Sequence, residues 1–137
     1  MNNLILIVSI IIFNGSINNC KGIKKGVFIS VDKNFGETII QRNDTIQLEE
    51  NKILGTLFLQ KIKWIDECNY VIYSTKALKN EADLDTSNTF TVSFKESQEK
   101  NIYYVSVLVK STNFKHESTI EKISDNVDDD FYEKIVQ

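Results

Sequence analysis

The sequence predicts an all-β fold: an antiparallel meander of six or seven short strands that curves into a sheet or closes into a small barrel. Three observations carry this expectation. Between residues 26 and 110 apolar side chains recur with a period of two rather than 3.6. β-branched and aromatic residues dominate those runs, which suits pleated surfaces. Short polar connections separate them, "DKNFGE", "QRND", "EENK" and "KESQEKN", in a chain without proline and with only 5 glycines. Turns must therefore be made largely by Asn, Asp, Ser and Lys.

Each strand follows from its own pattern. "GVFISVDK" sets Val27, Ile29 and Val31 on one face, and "TIQLEE" does the same with Ile46 and Leu48. "LFLQKIKWI" sends Phe58, Ile62 and Trp64 one way and Lys61 and Lys63 the other. "CNYVIYS" groups Cys68, Tyr70 and Ile72, while "TFTVSFK" opposes Phe90, Val92 and Phe94 to Thr89, Thr91, Ser93 and Lys95. "IYYVSVLVK" is apolar on both faces and predicts a strand covered on both sides. The longest connection, residues 76–88, carries Ala77, Leu78, Ala82 and Leu84 and predicts a short helical turn or a cover over one end of the sheet. Closure into a barrel removes exposed edges and is the favoured arrangement.

The stretch around the only tryptophan, "KIKWIDECNYVIYST", reads as a hairpin. Residues directly opposed across a hairpin share a face, so their numbers must sum to an even value. Trp64 opposite Tyr70 and Ile62 opposite Ile72 satisfies this with a loop of residues 66–68. Trp64 opposite Cys68, with a loop of residues 65–67, satisfies it too. A two-residue Asp66-Glu67 turn does not, because it would set lysines against aromatics.

Past the body, "STIEKISDNVDDDFYEKIVQ" changes period. Ile120, Ile123, Val127, Phe131 and Ile135 fall at helical spacing, yet Ser124-Asp125-Asn126 is a poor helix interior. Residues 117–137 are expected to form either a helix lying on the domain or a loose acidic tail. They hold seven acidic residues against two lysines, a net of −5 within a chain of net −3. The remainder is almost neutral and has no basic stripe interleaved with aromatics, so no nucleic acid is expected as a partner.

Residues 4–13, "LILIVSIIIF", followed at once by "NGSINNC", read as the apolar core of a secretory signal peptide. Ten helical residues rise about 15 Å, half a bilayer core, too short for a mature anchor. The division expected is a signal peptide at residues 1–16, a β domain at 17–116 and the acidic segment at 117–137. The protein is thus expected to be exported: periplasmic, in the envelope or secreted. In an oxidising compartment Cys20 and Cys68 are the one available pair, closing a disulfide loop. The alternative makes Cys20 a lipidated first residue, the only route by which a membrane would become a partner. A bacterial lipobox wants small residues before that cysteine, and Asn18-Asn19 stand there instead.

The chain lacks CxxC, GxSxG, GxxxxGK and GxGxxG, and has a single histidine, His116, in a polar stretch. No cofactor or metal is expected. A pairing of His116 with Cys68 for catalysis has nothing near either residue to activate it.

Cys20, Gly26, Phe28, Arg42, Asp44, Gln47, Glu49, Lys63, Trp64, Cys68 and Tyr70 together form a pattern: an early Cys ahead of a Gly-x-Phe strand, then "RNDTIQLE", then "KWIDECNY". In these features, over about residues 20–110, the chain resembles a group of small exported proteins of Bacteroidetes, especially flavobacteria. The resemblance implies an exported domain without an established activity. Some relatives carry names borrowed from DNA topoisomerases; an exported, near-neutral domain without a nucleotide motif does not suit that reaction.

The function expected is therefore a non-catalytic exported β module. The alternative is a small hydrophobic-ligand carrier of calycin type, with Trp64, Tyr70, Phe90, Phe94 and Tyr104 lining a pocket rather than filling a core. An enclosed apolar cavity favours the carrier and a filled interior favours the plain module. An enzyme using adjacent acids such as Asp66 and Glu67 is the weakest reading, since neighbouring acids on a polar loop are mostly solvated charges.

Overall fold

Alternation along a strand gives every strand two faces, and closing the sheet turns one face into a lumen. A computed structural model describes residues 20–79 and 88–136; the expected signal segment lies outside the described residues. The strands are β1 (Gly26–Asp32), β2 (Gly36–Arg42), β3 (Ile46–Asn51), β4 (Thr56–Trp64), β5 (Asn69–Lys79), β6 (Phe90–Glu96), β7 (Ile102–Val109) and β8 (Phe114–Ser124). They form a closed antiparallel barrel in chain order. A short helix, α1 (Phe131–Ile135), follows.

The seam between β1 and β8 is short, with Phe28 opposite Lys122 and Ile29 opposite Glu121 before the register shifts at Val27. Gly26 makes the close approach feasible: its φ is +136°, and a Cβ there would run into the carbonyl oxygen of Ser124. Of the two registers that parity allows, the tryptophan hairpin has Trp64 opposite Tyr70 and Ile62 opposite Ile72. Its loop is residues 66–68, tied by Ile65 N–H to the Asn69 carbonyl at 2.8 Å.

One end of the barrel is filled. Phe28, Ile62, Tyr70, Ile72, Val92, Phe94, Tyr103, Val105 and Ile120 form the inner core, and a 3-10 turn, Lys21–Ile23, crosses beneath it with Ile23 fully buried. Cys20, also fully buried, is bonded to Cys68 with Cα atoms 5.2 Å apart. With its sulfur in that bond, Cys20 is not free to carry a lipid. A disulfide points to a non-cytoplasmic location. Among the described residues no helix is long and apolar enough to cross a membrane.

A second apolar cluster lies outside the barrel. Leu48 and Leu57 point outward from β3 and β4 and are covered by Phe131 of α1, with Ile46, Leu59, Leu78, Val127 and Ile135 around them. Lys134 fastens the helix to β3 through Glu50 at 3.4 Å, and the Asp128 N–H donates to Gln41 Oε1 at 2.8 Å.

Four expectations are corrected by this arrangement. The segment assigned to an acidic tail from residue 117 is the second half of β8 as far as Ser124, because pairing with β7 and β1 closes the sheet. The helical spacing of Ile120 to Ile135 is therefore split: Ile120 enters the core, and only residues 131–135 are helical. On β1 Phe28 turns into the barrel core, and of the face that alternates with it Val27 is buried while Val31 stands in solvent. Strand β7 is covered on its inner side alone, so Tyr104 is 53% exposed on the outer face and its neighbour Tyr103 takes the core position.

Candidate functional site

The unusual feature is what β2, β3 and β4 turn inward. Their apolar residues Ile39, Leu48, Leu57 and Leu59 occupy the outer side, so by alternation Arg42, Gln47, Glu49 and Gln60 project into the barrel. Pairing sets Arg42 opposite Gln47, Ile40 opposite Glu49 and Gln47 opposite Gln60.

Arg42 is 1% exposed. Its Nε and Nη2 both donate to the Ile23 carbonyl, at 2.9 and 2.6 Å, and Nη1 donates to Gln47 Oε1 at 2.8 Å and to the Tyr70 hydroxyl at 3.0 Å. The Tyr70 hydroxyl in turn donates a hydrogen bond to Gln47 Oε1 at 2.7 Å. The amide nitrogen of Gln47 donates onward to Gln60 Oε1 at 2.7 Å and to Glu49 Oε1 at 2.9 Å. The guanidinium thus rests on neutral acceptors, and the nearest carboxylate is reached only through an amide. Aromatic faces complete the enclosure: the guanidinium carbon lies 4.5 Å from the Phe28 ring centre and 5.2 Å from those of Tyr70 and Phe94. Such stacking favours a cation kept from water.

Burial acts on each titratable member. It pushes the Arg42 pKa down, with Tyr70 and Glu49 opposing. It raises the Tyr70 phenol and the Glu49 carboxyl, and in both the nearby Arg42 charge opposes the rise. A guanidinium nevertheless keeps its charge in a protein.

Above this filled floor the lumen opens into a cavity of about 200 Å³. Its polar wall comprises Ser30, Thr38, Glu49, Ser118 and His116, and its apolar wall includes Ile40, Ile72, Val92 and Val105. His116 is exposed at the open end, while Glu49 is half-buried deeper in. Asn51 steadies the mouth by donating to the Phe35 carbonyl and to Thr38 Oγ1, at 3.0 and 3.1 Å.

No family model, curated protein or solved structure matches the chain.

The residues expected to matter fall into three groups. Cys20 and Cys68 are joined, as the pairing reading expects. Tyr70 and Phe94 are buried in the floor, with Trp64 and Phe90 packed partly buried against it. Tyr70 stacks between Trp64, at 4.8 Å between ring centres, and Phe94, at 5.6 Å. The third group is Tyr104 alone, outside the lumen altogether. Asp66, proposed as half of an acid pair, is a turn former: it accepts the Cys68 N–H and the Asn69 side-chain amide, both at 2.8 Å.

Arg42, Gln47, Glu49 and Gln60 were not anticipated as a site. The available signal was negative: β3 has an apolar face, Ile46 and Leu48, with Gln47 and Glu49 facing the other way. That pattern ordinarily means a solvated outer face. Here the short helix α1 covers the apolar side and the polar side is enclosed.

Proposed function

We propose that the protein is an exported, non-catalytic carrier that holds one small amphipathic ligand in a calycin-like lumen. The observation that carries this reading is the cavity of about 200 Å³ between polar and apolar walls, above a floor with its own closed hydrogen-bond network. An apolar cavity of about 150 Å³ already admits benzene, so the ligand is of substituted-benzene size. The mixed lining narrows a purely hydrophobic ligand to one with a polar end.

Export is supported by the disulfide and by the apolar leader. Of the residues that carry the resemblance to small flavobacterial exported proteins, Cys20, Phe28, Arg42, Gln47, Trp64, Cys68 and Tyr70 belong to the floor or pack against it. On this reading that pattern marks a folding device common to the group, and the lumen above it is where ligand preference resides.

The test is an amide-resolved NMR screen of the oxidised protein with fragments of that size. Shifts concentrated at Thr38, Glu49, Ile72, Val105 and Ser118 are expected. A screen in which no fragment moves those amides leaves the plain β module as the answer.

A further inference from the structure

Building on the carrier reading, we infer that the lumen selects a small amine, its protonated nitrogen held by the Glu49 carboxylate and its hydrocarbon part laid against Ile40, Ile72 and Val105. Selection turns on which charged group a guest can reach. Two opposite charges meet the cavity, Arg42 and Glu49. Arg42 is 1% exposed, with all three nitrogens already donating to Ile23, Gln47 and Tyr70. A carboxylate guest finds no open fork there.

Glu49 is the opposite case. It is the only acid that lines the cavity among the described residues. It is half-buried, and one oxygen takes a single hydrogen bond from Gln47 at 2.9 Å. Its second oxygen takes none from the described residues. The Gln47 amide stands between Glu49 and Arg42, so no contact ion pair quenches the carboxylate. Burial already holds its pKa above the ordinary value, and an ammonium donor would relieve that cost. The hydroxyls of Ser30, Thr38 and Ser118 on the same lumen wall supply further acceptors for N–H groups. No lysine lines the cavity to compete for the carboxylate.

Three near-isosteres decide the matter: phenethylamine, 2-phenylethanol and phenylacetate, each titrated at neutral pH and followed by NMR at the lumen amides. The amine is expected to bind about tenfold or more tightly than either of the others, as for a charge-assisted hydrogen bond out of water. Glu49→Gln is expected to erase that preference, bringing the amine's affinity down to about that of the alcohol. Equal or tighter lumen binding by the alcohol or the acid in the wild-type protein overturns the amine inference and leaves the carrier standing. If none of the three moves a lumen amide, the carrier reading falls with it.

Discussion

The Arg42 guanidinium and the Tyr70 hydroxyl, 3.0 Å apart, converge on one oxygen: Gln47 Oε1 accepts from Arg42 at 2.8 Å and from Tyr70 at 2.7 Å. A buried cation held this way ties three strands and the 3-10 turn to a single point, since Arg42 also reaches the Ile23 carbonyl.

Removing the cation strands those acceptors. Arg42→Met keeps length and apolar bulk but leaves the Ile23 carbonyl and part of Gln47 without donors. Each buried group so orphaned costs about 1–3 kcal/mol. A loss of about 2–4 kcal/mol in urea unfolding is expected. Tyr70→Phe removes one hydroxyl while Arg42 keeps Gln47, so it should cost about 1–2 kcal/mol. Wild-type stability in Arg42→Met would show that the network does not hold the floor.

The disulfide closes a loop of sequence separation 48 around that floor. In the chain-entropy account, cross-links of this span stabilise by about 4 kcal/mol by restricting the unfolded chain. Cys20→Ser with Cys68→Ser is expected to lower the urea midpoint accordingly. Reductant should do the same to the wild-type protein and nothing to the double variant. A midpoint insensitive to reductant in the wild type would contradict the bond.

Much of this floor was legible in the sequence, because its hairpin obeys a parity rule. Trp64 must share a face with Tyr70, and Lys61 and Lys63, on either side of Ile62, mark the outside. Strand β6 was equally plain, with Phe90, Val92 and Phe94 against hydroxyls and a lysine. The lumen was not legible, for a reason specific to β2, β3 and β4. Polar inward residues and apolar outward residues have the same alternation as the reverse arrangement, and only a cover decides between them. That cover is α1, five residues around Phe131, too brief for its helical period to stand out. Tyr103 and Tyr104 were confused because neighbouring tyrosines fit either phase.

The cover can be tested directly. Phe131 is fully buried against Leu48 and Leu57, and truncating such an aromatic ordinarily costs about 3–5 kcal/mol. Because α1 packs on the outside of a barrel closed without it, Phe131→Ala has an alternative: the helix can leave the barrel locally without unfolding the rest. The expected result is a global loss of about 3 kcal/mol or less, with hydrogen exchange accelerated far more at residues 131–135 than at Tyr70 and Phe94. Acceleration spread evenly over the barrel would mean that α1 is an integral part of the cooperative unit.

Glu49 supplies a pH dependence whose sign is fixed by its surroundings. Burial raises its carboxyl pKa above the ordinary 4.5, with Arg42 and the Gln47 amide opposing. The folded state therefore binds the Glu49 proton more tightly than the unfolded state, and this stabilising contribution is complete below pH 4.5. It is lost as pH rises through the raised folded value, where the native protein must keep a charge in a confined lumen. Glu49→Gln carries no such charge and preserves a partner for the Gln47 amide. Urea unfolding across pH should therefore show the variant gaining on the wild-type protein as pH climbs from 4.5 through the raised folded value, and level above it. Asp130 acts in the opposite sense: Lys134 lowers its pKa below 3.8, so its contribution is lost as pH falls and is the same in both proteins. A difference between variant and wild type that grows on acidification instead would mean that Glu49 is stabilised as an anion, and would place its charge in a contact ion pair with Arg42 rather than facing the cavity.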